Sequence, residues 1–76
     1  MSVMPAEIKT QAVTANLKAL HALLSVATKQ SAEACVLSQC GQHNEAVGTV
    51  FGLDSILEDV TALYRAVVVL HRLKAR

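Results

Sequence analysis

Aromatic side chains are almost absent from the sequence, which has no tryptophan, one tyrosine and one phenylalanine. A core built around large rings is therefore excluded. Hydrophobic residues nevertheless make up 53% of the 76 residues, and Ala, Val and Leu dominate them, which favours closely packed helices. We expect a single domain over residues 1–76. Chains this short usually need disulfides, a metal or a second chain to be stable.

Cysteine, net charge and long apolar runs are also scarce. The two cysteines, Cys35 and Cys40, are too few for a disulfide framework, so we expect free thiols in a reducing cytoplasm. The net charge of +1 gives no strong electrostatic footprint for nucleic acid. The longest apolar run, Ala66 to Leu70, is too short to cross a bilayer. The first ten residues do not resemble a signal peptide.

Proline and glycine, which usually interrupt helices, are missing from most of the first half. Pro5 is the only proline, and the first glycine is Gly41. The sequence therefore predicts a first helix over about residues 5–40, with Pro5 in a position that helix starts tolerate. Four consecutive polar residues at 28–31 leave open whether this helix breaks there.

A short turn is predicted at residues 41–44. Gly41 has the residue type that commonly follows a helix C-terminus, and Asn44 the type that caps a helix N-terminus. A second helix is expected over about residues 45–74. Because the connection is short, the two helices should lie antiparallel.

Apolar residues recur at alternating three- and four-residue spacing, which is the pattern of a helix face. On helix 2 they are Leu53, Ile56, Val60, Leu63, Val67 and Leu70. On helix 1 they are Val13, Leu17, Leu20, Leu24 and Ala27. We expect these two sets to pack together as the intramolecular seam, with Gly48 and Gly52 allowing close approach near the turn.

Each helix carries a second apolar stripe that a two-helix unit has no layer to cover. On helix 1 the stripe is rich in alanine and comprises Ile8, Ala12, Ala15, Ala19, Ala22 and Val26. On helix 2 it comprises Val50, Leu57, Tyr64 and Val68. Long exposed apolar stripes are unusual on a soluble monomer. They predict a homodimeric four-helix bundle, a groove for a helix of another protein, or both.

The charges of helix 2 are consistent with an antiparallel dimer. Such a dimer would bring Asp54 near Arg72, and Glu58 or Asp59 near Arg65, of the partner. Exposed pairs contribute only about 0–1 kcal/mol each, so they would set register more than stability. The alternative interpretation is an ordinary solvated face.

The sequence offers little chemistry. Cys35, Cys40 and His43 are zinc-ligand types near the turn, but no fourth ligand is evident. We therefore expect no metal and no other cofactor. The aligned helices offer no plausible Ser–His–Asp triad, and the sequence has no glycine-rich phosphate loop. Enzymatic activity is not expected.

We therefore expect a cytoplasmic, non-enzymatic interaction protein of bacterial or phage type. It would form a homodimer and would sequester, inhibit or chaperone another protein. The alternative is a small nucleic-acid-binding helical dimer that uses the basic end of helix 2. That end carries Arg65, Arg72, Lys74 and Arg76. Membrane binding is not expected, because the first half of helix 2 is acidic.

Overall fold

A computed structural model, which describes residues 3–75, shows an antiparallel helical hairpin. Helix α1 spans Ala6–Gln39 and forms the first arm. Helices α2 (His43–Phe51) and α3 (Asp54–Arg72) form the second arm, and both pack against α1. The predicted all-helical hairpin is confirmed. Arg76, which we placed in the basic end, lies outside the described residues.

The open end of the hairpin is fastened by backbone and side-chain hydrogen bonds. Two short strands, β1 (Val3–Met4) and β2 (Lys74–Ala75), pair in parallel there. The Lys9 ammonium donates to the carbonyl oxygens of His71 at 3.1 Å and Leu73 at 2.7 Å. These oxygens belong to the C-terminal end of α3, where the helix dipole favours a positive charge. Lys9 therefore fixes the level of α1 against α3.

The turn follows the predicted role of Gly41. Its φ of 84° lies in the left-handed region that glycine adopts at little cost. The Gln42 N–H donates to the Leu37 carbonyl at 2.9 Å, and the Gly41 N–H donates to the Ser38 carbonyl at 3.0 Å. This pair of bonds is the Schellman motif, which satisfies carbonyl groups at the end of α1.

Asn44 does not cap the second arm, contrary to the prediction. Helix α2 begins at His43, so Asn44 already lies inside its first turn. The preceding residue, Gln42, makes no capping bond with its side chain. The Schellman turn explains the difference. It reverses the chain within two residues, so α2 begins before Asn44 and Asn44 cannot occupy the capping position.

The second arm is not one helix over 45–74, as predicted, because it is interrupted at Gly52 and Leu53. Their N–H groups donate to the carbonyls of Thr49 at 3.2 Å and Val50 at 2.9 Å. These bonds span three residues, so the backbone tightens locally between α2 and α3. Gly52 favours such a break because glycine is a weak helix former.

Helix α1, in contrast, passes through residues 28–31 without a break. The Ser31 hydroxyl donates to the Thr28 carbonyl at 2.9 Å, so this polar side chain is satisfied within the helix. The first arm is therefore a continuous rod of 34 residues.

The seam on α1 retains three of the predicted residues, Val13, Leu20 and Ala27, and differs from the prediction at two positions. On the second arm the half-buried seam residues are Leu53, Ile56, Val60, Leu63, Val67 and Leu70. On α1 they are Val13, Asn16, Leu20, Leu23, Ala27 and Gln30. The structure places Leu17 and Leu24 outside the seam, contrary to the prediction. They are rotated by one residue from Asn16 and Leu23, which point towards the second arm.

The tightest packing lies near the turn and is made by alanines. Ala34 and Ala46 are 6% exposed and are the only buried residues in the described chain. Gly48 does not provide the predicted close approach, because a Cβ built on it meets nothing within 4 Å. A Cβ on Gly52 would meet only the carbonyl oxygen of Thr49, in the preceding turn of the same arm.

The seam predicts a large effect of charge at Leu63. Leu63→Asp should lower the free energy of unfolding by about 2–4 kcal/mol, because the carboxylate has no partner among apolar neighbours. Urea unfolding followed by circular dichroism measures this loss. Val69 is 55% exposed on the same helix, so Val69→Asp should cost less than about 1 kcal/mol. Equal losses in the two variants would contradict the seam.

The two glycines near the turn should respond oppositely to alanine. Gly41→Ala should destabilise the protein by about 1–2 kcal/mol, because a Cβ is strained at positive φ. Gly48→Ala should stabilise it by up to about 1 kcal/mol, since Gly48 lies inside α2 with open space for a methyl group. Thermal unfolding of the two variants side by side checks the turn, and changes of the same sign would contradict it.

Candidate protein-interaction surface

A single chain buries very little of its apolar surface. The described chain has no fully buried large side chain. The molecule is a rod of 57 × 17 × 12 Å. Its radius of gyration is 17.3 Å, whereas a compact domain of this length has about 11 Å. Such an elongated shape exposes more surface than a compact domain of the same length.

The antiparallel arrangement decides which exposed residues share a flank of this rod. On either arm, the residue that comes directly after a seam residue in the sequence projects from the same side of the rod. Leu17 and Leu24 follow the seam residues Asn16 and Leu23. Leu57 and Tyr64 follow Ile56 and Leu63. All four therefore project from one flank.

The Lys9 bonds at the open end and the turn at Gly41 set the levels along the rod. They place Leu17 level with Tyr64 and Leu24 level with Leu57, to within about one turn. The exposures of these side chains are 46% for Leu17, 43% for Leu24, 50% for Leu57 and 61% for Tyr64. Val50 continues the row towards the turn and is 47% exposed. We call these five residues the leucine–tyrosine face.

The predicted alanine stripe lies on the opposite flank. Its members Ala12, Ala19 and Val26 precede the seam residues Val13, Leu20 and Ala27, so they turn the other way. Exposed members are Ala15, Ala19, Ala22, Val26 and Ile8, whereas Ala12 is half-buried. Val68, predicted for the stripe on helix 2, is also half-buried. The hairpin thus has two separate apolar flanks.

Two apolar residues near the turn were missed by sequence reasoning. Phe51 is 73% exposed and Val47 is 51% exposed. Both lie on α2, next to Val50, and extend the apolar surface beyond the leucine–tyrosine face. The exposure of Phe51 could have been predicted from the sequence, because this residue does not fit the three- and four-residue spacing of the seam.

Charged residues border the leucine–tyrosine face on both arms, with several on α3 and Lys18 on α1. An open groove runs along α3 and is lined by Asp54, Leu57, Glu58, Thr61, Ala62 and Arg65. The acids stand at its N-terminal end and the arginine at its C-terminal end. On α1 the outer border consists of the exposed Thr14, Lys18, His21 and Thr28. The face is therefore apolar across its width and charge-asymmetric along one edge.

The zinc-ligand residue types near the turn do not form a metal-binding cluster in the described part of the chain. Cys35 and Cys40 are exposed and unpaired. The ring Nδ1 of His43 is hydrogen-bonded to the Ser38 hydroxyl at 2.9 Å. Between residues 3 and 75, three His, Cys, Asp or Glu side chains nowhere come together in a group that could hold a metal ion.

Comparisons with known proteins give no indication of function, so the exposed surfaces of the hairpin are the remaining evidence for it. No protein-family model, curated protein or solved structure matches the chain. Across the described residues, none of the helices combines the length and apolar character that a membrane span needs.

Proposed function

We propose that this protein is a non-enzymatic interaction module that works by packing its apolar flanks against helices of other chains. It forms a homodimeric four-helix bundle and modulates a second protein by sequestering, inhibiting or chaperoning it. Its exposed free thiols suit the reducing cytoplasm. Charge alone does not suggest this proposal, which depends on the apolar surface that one chain leaves uncovered.

The observation that supports the proposal best is the total surface that a single chain exposes. The chain exposes 5652 Å², whereas a globular monomer of its mass, 8.1 kDa, exposes roughly 4,500 Å². The excess of about 1,200 Å² is larger than the roughly 800 Å² that each partner buries in a standard interface. Covering one flank would bring the chain into the range of ordinary folded proteins.

The form of the surface favours a helix as the occupant. Both flanks are long and open, and their apolar side chains follow helical spacing. A small ligand prefers a concave site that encloses most of its surface, whereas an amphipathic helix lies along a groove and contacts side chains at successive turns. Helix packing is therefore the recognition mode that this geometry supports best.

Stability should depend on protein concentration. Association with folded chains stabilises them by mass action, so the midpoint of thermal unfolding should rise by several degrees between about 1 and 300 µM. Tyr64 is the only tyrosine and the sequence has no tryptophan, so intrinsic fluorescence reports directly on the leucine–tyrosine face. Acrylamide quenching of Tyr64 should fall over the same concentration range if that face is covered.

A constant midpoint and a monomeric mass by light scattering over this range would contradict self-association. Tyr64 quenching that stays high while the mass doubles would keep the dimer but move it away from the leucine–tyrosine face. The two readouts therefore separate assembly from the place of assembly.

The second protein can be sought by site-specific photo-cross-linking. A photoreactive residue at Ala19 would stand on the alanine stripe, whereas the same residue at Lys18, the next position, would stand outside that stripe. Ala19 adducts with another protein should exceed Lys18 adducts by at least about fivefold, since that flank would be occupied. Equal adducts from the two positions would contradict partner binding at the alanine stripe.

Nucleic-acid binding is the competing function. It would use the basic residues Arg65, Arg72 and Lys74 at one end of the rod. Lys9 lies at the same end, but its ammonium donates to α3 carbonyls. Heparin retention that weakens steeply with salt would favour the competing function, because phosphate contacts release counterions. Weak retention near 150 mM salt is the result expected for the interaction module.

A further inference from the structure

We infer that the leucine–tyrosine face is covered by the same face of a second copy of this chain, antiparallel to the first, about a two-fold axis near Thr61. The inference rests on the proposed function. It specifies which chain covers one of the two apolar flanks of the hairpin, and in which orientation. The turns of the two hairpins then lie at opposite ends. The alanine stripes lie on the outside of the bundle and stay free for another protein.

The apolar residues of the face are complementary to themselves under this symmetry. On α3, a two-fold axis midway between Leu57 and Tyr64 sets Leu57 of each copy against Tyr64 of the other. On α1, an axis midway between Leu17 and Leu24 sets each of these leucines against the other in the second copy. The level of Leu17 with Tyr64, and of Leu24 with Leu57, places the two midpoints within about one turn of each other. One axis can therefore serve both helices.

The charges along the edge of the face select the same orientation. The groove on α3 has Asp54 and Glu58 at one end and Arg65 at the other. Antiparallel packing about Thr61 brings Glu58 of each copy beside Arg65 of the other, so two complementary pairs form. The alternative two-fold arrangement, with both turns at one end, lays α1 over α3. Arg65 would then lie near Lys18 on α1 of the other copy, so a like-charge contact would replace the Glu58–Arg65 pairs.

The area of the face is sufficient for a stable dimer. One broad side of the rod measures 57 × 17 Å, which is comparable in area with the roughly 800 Å² that each partner contributes to a standard interface. One flank of the rod can therefore supply a dimer interface, and the second flank need not take part. By contrast, the alanine stripe has small side chains and offers less apolar area to a dimer.

The first test compares two exposed apolar residues of α3. Leu57→Glu should raise the dimer dissociation constant at least about a hundredfold, because each dimer loses two buried leucines and gains two buried charges. Val69→Glu changes a residue of similar exposure that points away from the face, and it should alter the constant less than about threefold. Analytical ultracentrifugation measures both, and circular dichroism at high concentration verifies that the helices remain. Equal dissociation constants for the two variants would overturn the inference.

The second test exchanges charges and does not depend on an apolar residue. Glu58→Arg and Arg65→Glu should each weaken the dimer about three- to tenfold, since each creates two like-charge contacts. The double variant should recover most of the wild-type affinity. Asp59→Arg is the matched control, because Asp59 precedes Val60 and lies on the other flank. Additive losses in the double variant would overturn the antiparallel pairing.

The third test reads the orientation directly. In a chain with Cys35→Ser and Cys40→Ser, Thr61→Cys should give a cross-linked dimer with a short bis-maleimide. Ser55→Cys, away from the axis, should give at least about tenfold less. With both turns at one end, Thr61 of the two copies would stand on diagonal helices. Cross-linking no better than that of Ser55→Cys would overturn the orientation.

The outcomes distinguish this inference from the proposed function. If wild type dimerises but Ala19→Glu separates the copies and Leu57→Glu does not, the inference fails and the interaction module stands. If wild type is a stable, folded monomer at all concentrations, the inference and the homodimer in the proposed function fail together.

Discussion

The seam between α1 and the second arm is the constraint on which the rest of the structure depends. Two helices can bury only the stripe that each turns to the other, because a hairpin has no third layer. The seam residues themselves are half-buried except for Ala34 and Ala46. Many apolar side chains next to the seam are therefore left exposed, and the apolar flanks follow directly from the two-helix architecture.

The seam on α3 could be predicted from sequence because the pattern there is unambiguous. Its apolar residues are large and uninterrupted at the seam positions, and acids or other polar groups fill much of the opposite face. Helix α1 gives no such contrast. Leucines occupy adjacent positions at Leu23 and Leu24, and alanines are spread around the helix. Asn16 and Gln30 occupy seam positions, so the apolar pattern misplaced Leu17 and Leu24 by one residue, although it identified Val13, Leu20 and Ala27.

Polar residues in the α1 seam have a physical basis that composition does not reveal. The Asn16 amide donates to the Ala12 carbonyl at 2.8 Å, so its polarity is partly satisfied within its own helix. The Gln30 side-chain oxygen is buried without a hydrogen-bond partner, which costs stability. The same register leaves Leu17 and Leu24 outside the seam, and these leucines form an apolar flank together with Leu57 and Tyr64. The residues that sequence reasoning misplaced are thus the ones that unite the two arms into one surface.

Folding and recognition are energetically coupled in this geometry. Leu17, Leu24, Leu57 and Tyr64 stand directly beside seam residues, so a chain packed on this flank would also exclude water from the edge of the seam. Binding would then stabilise the hairpin by an amount that grows with partner concentration. A hairpin of this kind would have a low free energy of unfolding alone and a higher one in a complex. The seam is small and the flanks are large for the same reason. The apolar residues of each helix are divided between the seam and the flanks beside it.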